Sequence, residues 1–115
     1  MVASLWHTWI CVLMGIAAAQ RSYDFSVMKM RVLTSPHAQN YEWFGSRVDI
    51  SGDYMVVGAP GSDSSKLVGY AYVYHRDTRS NKWQKVAQLA GGSSSDGFGS
   101  VVRIQGSNVV VGAYK

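Results

Sequence analysis

The sequence predicts an all-β chain built from repeated antiparallel units, and three observations support this. Residues 44–60, FGSRVDISGDYMVVGAP, recur fifty-four residues later as residues 98–114, FGSVVRIQGSNVVVGAY, with ten of seventeen positions identical. Several runs within the repeats alternate polar and apolar residues, as half-buried strands do. Stretches rich in Gly, Ser and Asp separate these runs, as turns do. A period near fifty residues in strand-like sequence is typical of a radial β array.

The first twenty residues predict a leader. They contain no Lys, Arg, Asp or Glu, and an apolar run over residues 10–17 leads into the Ala-Ala-Ala triplet at 17–19. This pattern is typical of a secretory signal, so we expect a signal helix over residues 1–19, cleaved after Ala19. The alternative is an uncleaved anchor, but Ser4, His7 and Thr8 shorten the apolar run below the roughly 20 residues that a membrane span needs.

Cysteine and charge narrow the classes of function. The one cysteine, Cys11, lies in the predicted leader, so no disulfide framework is expected. The net charge is +4, and the densest basic group, over residues 76–85, lies where we expect a turn that enters a strand. A solvated turn explains these charges better than a nucleic-acid surface does. We therefore expect no nucleic-acid partner.

The segments follow one another as units of four strands. Residues 20–43 are a lead-in that contains the last strand of a preceding unit, near residues 26–33. The complete unit spans residues 44–97, and its first strand, residues 46–50, turns at Gly52 into a second, residues 54–59, which is apolar enough to be buried on both faces. Asp49 and Asp53, on this strand and turn, are interpreted as a solvated edge.

The second half of the unit contains two more predicted strands. Residues 68–74 place Tyr70, Tyr72 and Tyr74 on one face, where packing explains them better than sugar binding. Residues 83–89 form the fourth strand, and residues 91–97 form a loop. Residues 98–115 are then the first two strands of the next unit, and the second of them, residues 108–113, is again expected to be buried on both faces.

Four short antiparallel strands per repeat is the plan of a β-propeller blade, and a propeller closes with roughly four to eight blades. The predicted fold is therefore a partial β-propeller of four-stranded antiparallel blades, preceded by a signal helix. Open blade edges favour self-association. We expect the chain to be a fragment, a truncated product or a subunit that associates.

The repeated motifs resemble the FG-GAP repeat, the blade unit of integrin α-chain propellers and related extracellular proteins. The first copy contains both motifs that give the family its name, Phe-Gly and Gly-Ala-Pro. The second copy has the same motifs except for the final Pro, which is replaced by Tyr114. The resemblance, together with the glycines' small size, implies structural roles at these positions. They are Phe44, Gly45, Gly58, Ala59 and Pro60 in the first copy, and Phe98, Gly99, Gly112 and Ala113 in the second.

Many FG-GAP repeats hold calcium in an acidic loop between their first two strands, and this chain departs from that pattern. The link between Ile50 and Val56 contains a single carboxylate, Asp53, and the second copy has none there. Ca²⁺ takes six to eight oxygen ligands. We therefore expect no calcium at these hairpins, no other metal and no cofactor.

No motif for catalysis is found, and neither a nucleophile elbow nor a dinucleotide loop is present. The chain is therefore not expected to be an enzyme. Loops of a propeller are where binding usually occurs, so two polar loops are the candidate ligand contacts. Their residues are Ser62, Asp63 and Ser64 in one loop, and Ser95 and Asp96 in the other.

Three hypotheses of function remain at this point. The first is a secreted or cell-surface binding or adhesion module whose partner is an extracellular protein or glycan. The second is a piece of an extracellular hydrolase or lyase that contains a propeller. The third is a truncated product without a function of its own.

Overall fold

The computed structural model describes residues 2–5, 8–14, 30–62 and 66–114. The regular structure of these residues is β-strand throughout, and each strand pair is antiparallel. The strands are β1 (Val2–Leu5), β2 (Thr8–Met14), β3 (Met30–Thr34), β4 (Arg47–Ser51), β5 (Tyr54–Ala59), β6 (Val68–Asp77), β7 (Lys82–Ser94), β8 (Val101–Gln105) and β9 (Asn108–Gly112). Three sheets result, with orders β1-β2-β3, β4-β5-β6-β7 and β8-β9. The all-β prediction is confirmed.

The first sheet contradicts the helix expected over residues 1–19. β1 and β2 form a hairpin, and β2 also pairs with β3, so that Val12 lies opposite Val32. The β-branched and aromatic residues of β2 favour a strand, and pairing with β3 provides partners for their backbone groups. In the described part of the chain, no helix reaches the length and apolarity needed to cross a membrane.

The second sheet corresponds to the predicted four-strand unit, with two longer strands. β5 has the predicted bounds, whereas β6 continues to Asp77 and β7 to Ser94. The loop expected over residues 91–97 is thus strand as far as Ser94. Two irregularities in the β6–β7 register, between Val68 and Tyr70 and between Val73 and Tyr74, allow β7 to follow β6 along its length.

Each face of the second sheet has its own core. On one face the buried residues are Phe44, Met55, Val57, Ala59, Tyr72 and Tyr74. On the other face, Val56, Ala71 and Val73 pack against Val102 and Ile104 of β8. This second core joins the two repeats, and it confirms that β5 is buried on both faces. The core on the first face confirms packing as the role of Tyr72 and Tyr74.

β9 differs from the strand that the sequence predicts, because it is not buried on both faces. Val109 and Val111 are partly buried, and the Val110 side chain between them is 65% exposed. β5 lies between β4 and β6, whereas no described strand lies on the outer side of β9. The two copies have the same sequence pattern, but β5 has a neighbouring strand on each side and β9 has a described neighbour on one side only.

The two repeat copies have the same backbone geometry. The Gly45 N–H donates to the Gly58 carbonyl oxygen at 3.0 Å, and the Gly99 N–H donates to Gly112 at the same distance. Gly45 and Gly99 have φ of 86° and 91°, in the left-handed region that favours glycine. The sequence repeat is therefore a structural repeat, consistent with propeller-like blades.

Candidate functional site

Three loops lie at one end of the four-stranded sheet, which we call the loop end. They are the loop before β4 (residues 35–46), the described parts of the link between β5 and β6 (60–62 and 66–67) and the loop between β7 and β8 (95–100). Backbone hydrogen bonds connect them. The Gly61 N–H donates to the Glu42 carbonyl oxygen at 2.9 Å, and the Ser95 N–H donates to that of Leu67 at 3.3 Å. The loop end is therefore one connected surface.

The glycines of the two repeats lie against one another beside this surface. A Cβ atom built on Gly58 would overlap the carbonyl oxygen of Gly99, and one built on Gly99 would overlap the carbonyl oxygen of Tyr70. A Cβ built on Gly69 would likewise overlap the carbonyl oxygen of Phe98. Glycine at these positions is thus required by the close approach of one repeat to the next.

A buried polar network holds the loop before β4. Glu42 is 4% exposed, and its carboxylate accepts hydrogen bonds from the Ser35 hydroxyl at 2.5 Å and the Tyr72 hydroxyl at 2.7 Å. Ser35 Oγ in turn accepts from the backbone N–H groups of His37 and Ala38 at 3.1 and 3.2 Å. A buried carboxylate is costly unless it is hydrogen-bonded in this way, so the network fixes how the loop lies on the sheet.

His37 extends the network to the protein surface. Its Nδ1 lies 2.7 Å from the Tyr72 hydroxyl oxygen, and because the hydroxyl proton is donated to Glu42, Nδ1 carries the proton of this contact. The His37 ring also stacks on Tyr70 at 4.8 Å between centroids. Burial, followed by the hydrogen bond to Glu42, raises the pKa of Tyr72 far above its ordinary value. Tyr72 therefore stays a hydrogen-bond donor at neutral pH.

The predicted ligand-contact residues differ in their surroundings. Asp63 and Ser64 lie outside the described residues, and Ser62 is buried. Asp96 accepts hydrogen bonds from the backbone N–H groups of Phe98 at 2.9 Å and Ser93 at 3.1 Å, which hold the pKa of its carboxyl below the ordinary value. Ser95, beside it, has φ of 67° and is partly exposed. The Asp96 carboxylate thus stabilises the turn that leads to Phe98.

The motif residues for which structural roles were predicted are mostly buried in the first copy and less so in the second. Phe44 and Ala59 are fully buried, and Gly45, Gly58, Pro60 and Gly99 are buried with them. Phe98 packs beside the core between the sheet and β8, whereas Gly112 is partly exposed and Ala113 exposed.

Tyr41 and Trp43 are the functional candidates that sequence reasoning missed. Their side chains are 61% and 42% exposed at the loop end, on either side of the buried Glu42. The signal lay in the comparison of copies, since Tyr41-Glu42-Trp43 stands where the second copy has Ser95-Asp96-Gly97. Only the first copy has aromatic residues at these positions, whereas in the second copy the ring of Tyr114 lies against Gly97.

Asp49 also has a role other than the solvated edge interpreted from sequence. Its Oδ2 accepts a hydrogen bond from the backbone N–H of Ile104 at 2.8 Å, and Ser51 Oγ accepts one from Gly106 at 3.0 Å. Both bonds join β4 to the next repeat. Asp53 pairs with Arg76 at 2.6 Å near the opposite end. Within the described ranges, no three His, Cys, Asp or Glu side chains come close enough together to hold a metal ion.

The comparisons with known proteins agree with this geometry over part of the chain. Residues 27–74 match the family model described as the FG-GAP repeat. The matched segment contains β3, the loop before β4, β4, β5 and most of β6. Neither a curated protein nor a solved structure matches the chain.

Proposed function

We propose that the chain is a non-enzymatic binding or adhesion module that works outside the cell, because residues 27–74 match the FG-GAP repeat. Repeats of this family occur in extracellular and cell-surface proteins. The apolar leader that ends in the Ala triplet at 17–19 supports the same location. The proposal includes a partial β-propeller, of which the four-stranded sheet is one blade and β8–β9 the start of the next.

The observation on which the proposal rests is the surface at the loop end. Three loops meet there, and they expose two aromatic side chains, Tyr41 and Trp43, on a backbone fixed by the Glu42 network. Trp and Tyr are the residue types most enriched where proteins bind partners. The loops that carry Ser62, Asp63, Ser64, Ser95 and Asp96 are part of the proposed contact surface.

Secretion is tested with the full chain bearing a C-terminal tag, expressed in cells with a secretory pathway. We expect the product in the medium, with Gln20 as its first residue by mass spectrometry. Cleavage there also removes β1 and β2, so that β3 loses its partner strand. A product retained inside the cell with its leader intact would contradict the proposed location.

Binding is tested with the fluorescently labelled product on intact cells. We expect saturable binding that the double variant Tyr41→Ser/Trp43→Gly loses. Tyr54→Ser is the matched control, because Tyr54 is an exposed tyrosine at the opposite end of the sheet. The absence of saturable binding, or an equal loss in both variants, would contradict a binding role for the loop end.

A further inference from the structure

Residues 36–43 differ from their counterparts in the second repeat in a way that points to a ligand. We infer that this segment, with Tyr41 and Trp43 as its stacking groups, binds a neutral oligosaccharide. The inference rests on the proposed binding function and names the ligand of that same loop end. Four features of the segment support it: its backbone, its anchoring, its side-chain chemistry and its size.

The backbone of this segment is in a conformation that its residues disfavour. Ala38, Tyr41 and Trp43 have φ of 47°, 64° and 56°. A residue other than Gly in this region costs of order 1–3 kcal/mol, and such residues cluster at functional sites. The counterparts of Tyr41 and Trp43 have almost the same φ, 67° at both Ser95 and Gly97. The backbone shape therefore recurs in the second copy without aromatic residues at these two positions.

The segment is anchored firmly enough to hold the two rings in place. Between Tyr41 and Trp43, the Glu42 side chain is buried under the loop, and its backbone carbonyl accepts the Gly61 N–H. His37 stacks on Tyr70 on the N-terminal side of the same loop. A ligand that stacks on Tyr41 and Trp43 would thus meet a rigid surface, and little conformational entropy would be lost on binding.

The exposed chemistry of the segment fits a neutral ligand that has both apolar faces and hydroxyl groups. Tyr and Trp combine a flat apolar ring with one polar group, and Gln39 and Asn40 are exposed amides beside them. No Lys, Arg or Asp occurs in residues 36–43, and the one Glu, Glu42, is buried. Sugars have flat C–H faces that stack on aromatic rings and hydroxyls that bond to amides, whereas a polyanion would need exposed cations.

The segment by itself has the size of an oligosaccharide site rather than of a protein interface. Seven residues of the segment are exposed: Pro36, His37, Ala38, Gln39, Asn40, Tyr41 and Trp43. A stable protein interface uses roughly 20–30 residues on each side. Residues at alternate positions of a chain lie at most about 7 Å apart at Cα, which would allow two rings to contact neighbouring sugars.

The test is calorimetric and NMR titration of the full chain with cellohexaose and, separately, with chitohexaose. We expect at least one of them to bind and to shift the indole N–H resonance of Trp43, assigned with Trp43→Phe. The double variant Tyr41→Ser/Trp43→Gly takes the residues of the second repeat and should keep the fold while its affinity falls at least about tenfold. Tyr54→Ser should bind as the unaltered chain does, and circular dichroism checks that each variant is folded.

Two results would overturn the inference. One is binding that the double variant retains, because the sugar would then lie elsewhere. The other is failure of both sugars to bind while labelled protein still binds cells through Tyr41 and Trp43 and mild periodate oxidation of cell-surface sugars leaves that binding unchanged. The second result would indicate a protein partner, and the proposed binding function would stand.

Discussion

Glu42 is the residue on which the shape of the loop before β4 depends. It is a buried carboxylate stabilised by two hydroxyl donors, Ser35 at the start of the loop and Tyr72 in β6. Buried polar groups that lose one partner cost more than the lost hydrogen bond, because the remaining partner stays desolvated. Tyr72 is therefore as important for this loop as for the core in which its ring packs.

We expect Tyr72→Phe to destabilise the protein by about 1–3 kcal/mol, because it keeps the ring but removes a donor to Glu42. Urea unfolding followed by circular dichroism measures the change. Tyr70→Phe is the matched control, since it removes a hydroxyl from the neighbouring, partly buried tyrosine and should cost less than about 0.5 kcal/mol. Equal losses in the two variants would show that the Tyr72 hydroxyl does not stabilise Glu42.

The lowered pKa of Asp96 makes the free energy of unfolding depend on pH. Hydrogen bonds from the Phe98 and then the Ser93 N–H groups lower its pKa in the folded protein. Because the folded pKa lies below the unfolded value of about 3.9, the contribution of Asp96 is complete above that pH and is lost as the pH falls through the folded pKa. Urea midpoints of the unaltered chain and of Asp96→Asn should therefore converge below about pH 4. A difference that does not change with pH would contradict this.

Among the strands, β5 and β7 show what sequence patterns can and cannot predict. β5 was predicted with its observed bounds, because an apolar run between turn residues has one reasonable interpretation. The end of β7 was not predicted, because Gly91 and Gly92 in sequence indicate a loop. The strand continues through them because the β6–β7 pair has register irregularities, which the sequence does not reveal. Similarly, nothing in the sequence of β9 indicates whether another strand will cover it.

The candidate site was predicted only in part. The loops at one end follow from the order of strands, and Asp96 was recognised as a loop residue. The burial of Glu42 could not be predicted, since Glu in a loop is normally solvated and its donor Tyr72 is 30 residues away. Tyr41 and Trp43 could have been found from sequence, by asking which positions differ between the two copies.

The junction between repeats gives a sharp prediction for two glycines. Gly58→Ala and Gly99→Ala each place a Cβ against a backbone carbonyl of the other repeat, and at Gly99 the φ of 91° adds strain. We expect each to cost about 3 kcal/mol or more in urea unfolding. Gly92→Ala is the control, because no atom lies within 4 Å of its built Cβ. If Gly92→Ala lowers the free energy of unfolding as much as Gly58→Ala or Gly99→Ala does, close contact between the repeats is not the reason for the losses.

In the molecule as a whole, one edge of β9 has no partner among the described strands. Val110 is 65% exposed there, and β9 contains neither a charged residue nor Pro to prevent pairing with another chain. β7 also exposes an apolar residue, Val86 at 55%, but it contains Lys82 and Lys85. Self-association is therefore expected to involve β9 rather than β7.

Sedimentation of the chain at increasing concentration tests this expectation. We expect association that Val110→Lys reduces at least about tenfold in association constant, because a charge at the centre of β9 opposes strand addition. Val86→Lys introduces the same residue on β7 and should associate as the unaltered chain does. A chain that stays monomeric, or a larger effect of Val86→Lys, would contradict an interface at β9.

The contact between Gly58 of one repeat and Gly99 of the next bears on how chains of such repeats lengthen by gene duplication. Gly58 lies in the second strand of its repeat and Gly99 at the beginning of the following one, at positions where the two copies have the same residues. A gene segment that encodes one repeat therefore encodes both sides of the joint. When such a segment is duplicated in tandem, the new copy already fits its parent, and the protein lengthens by one unit without any compensating mutation.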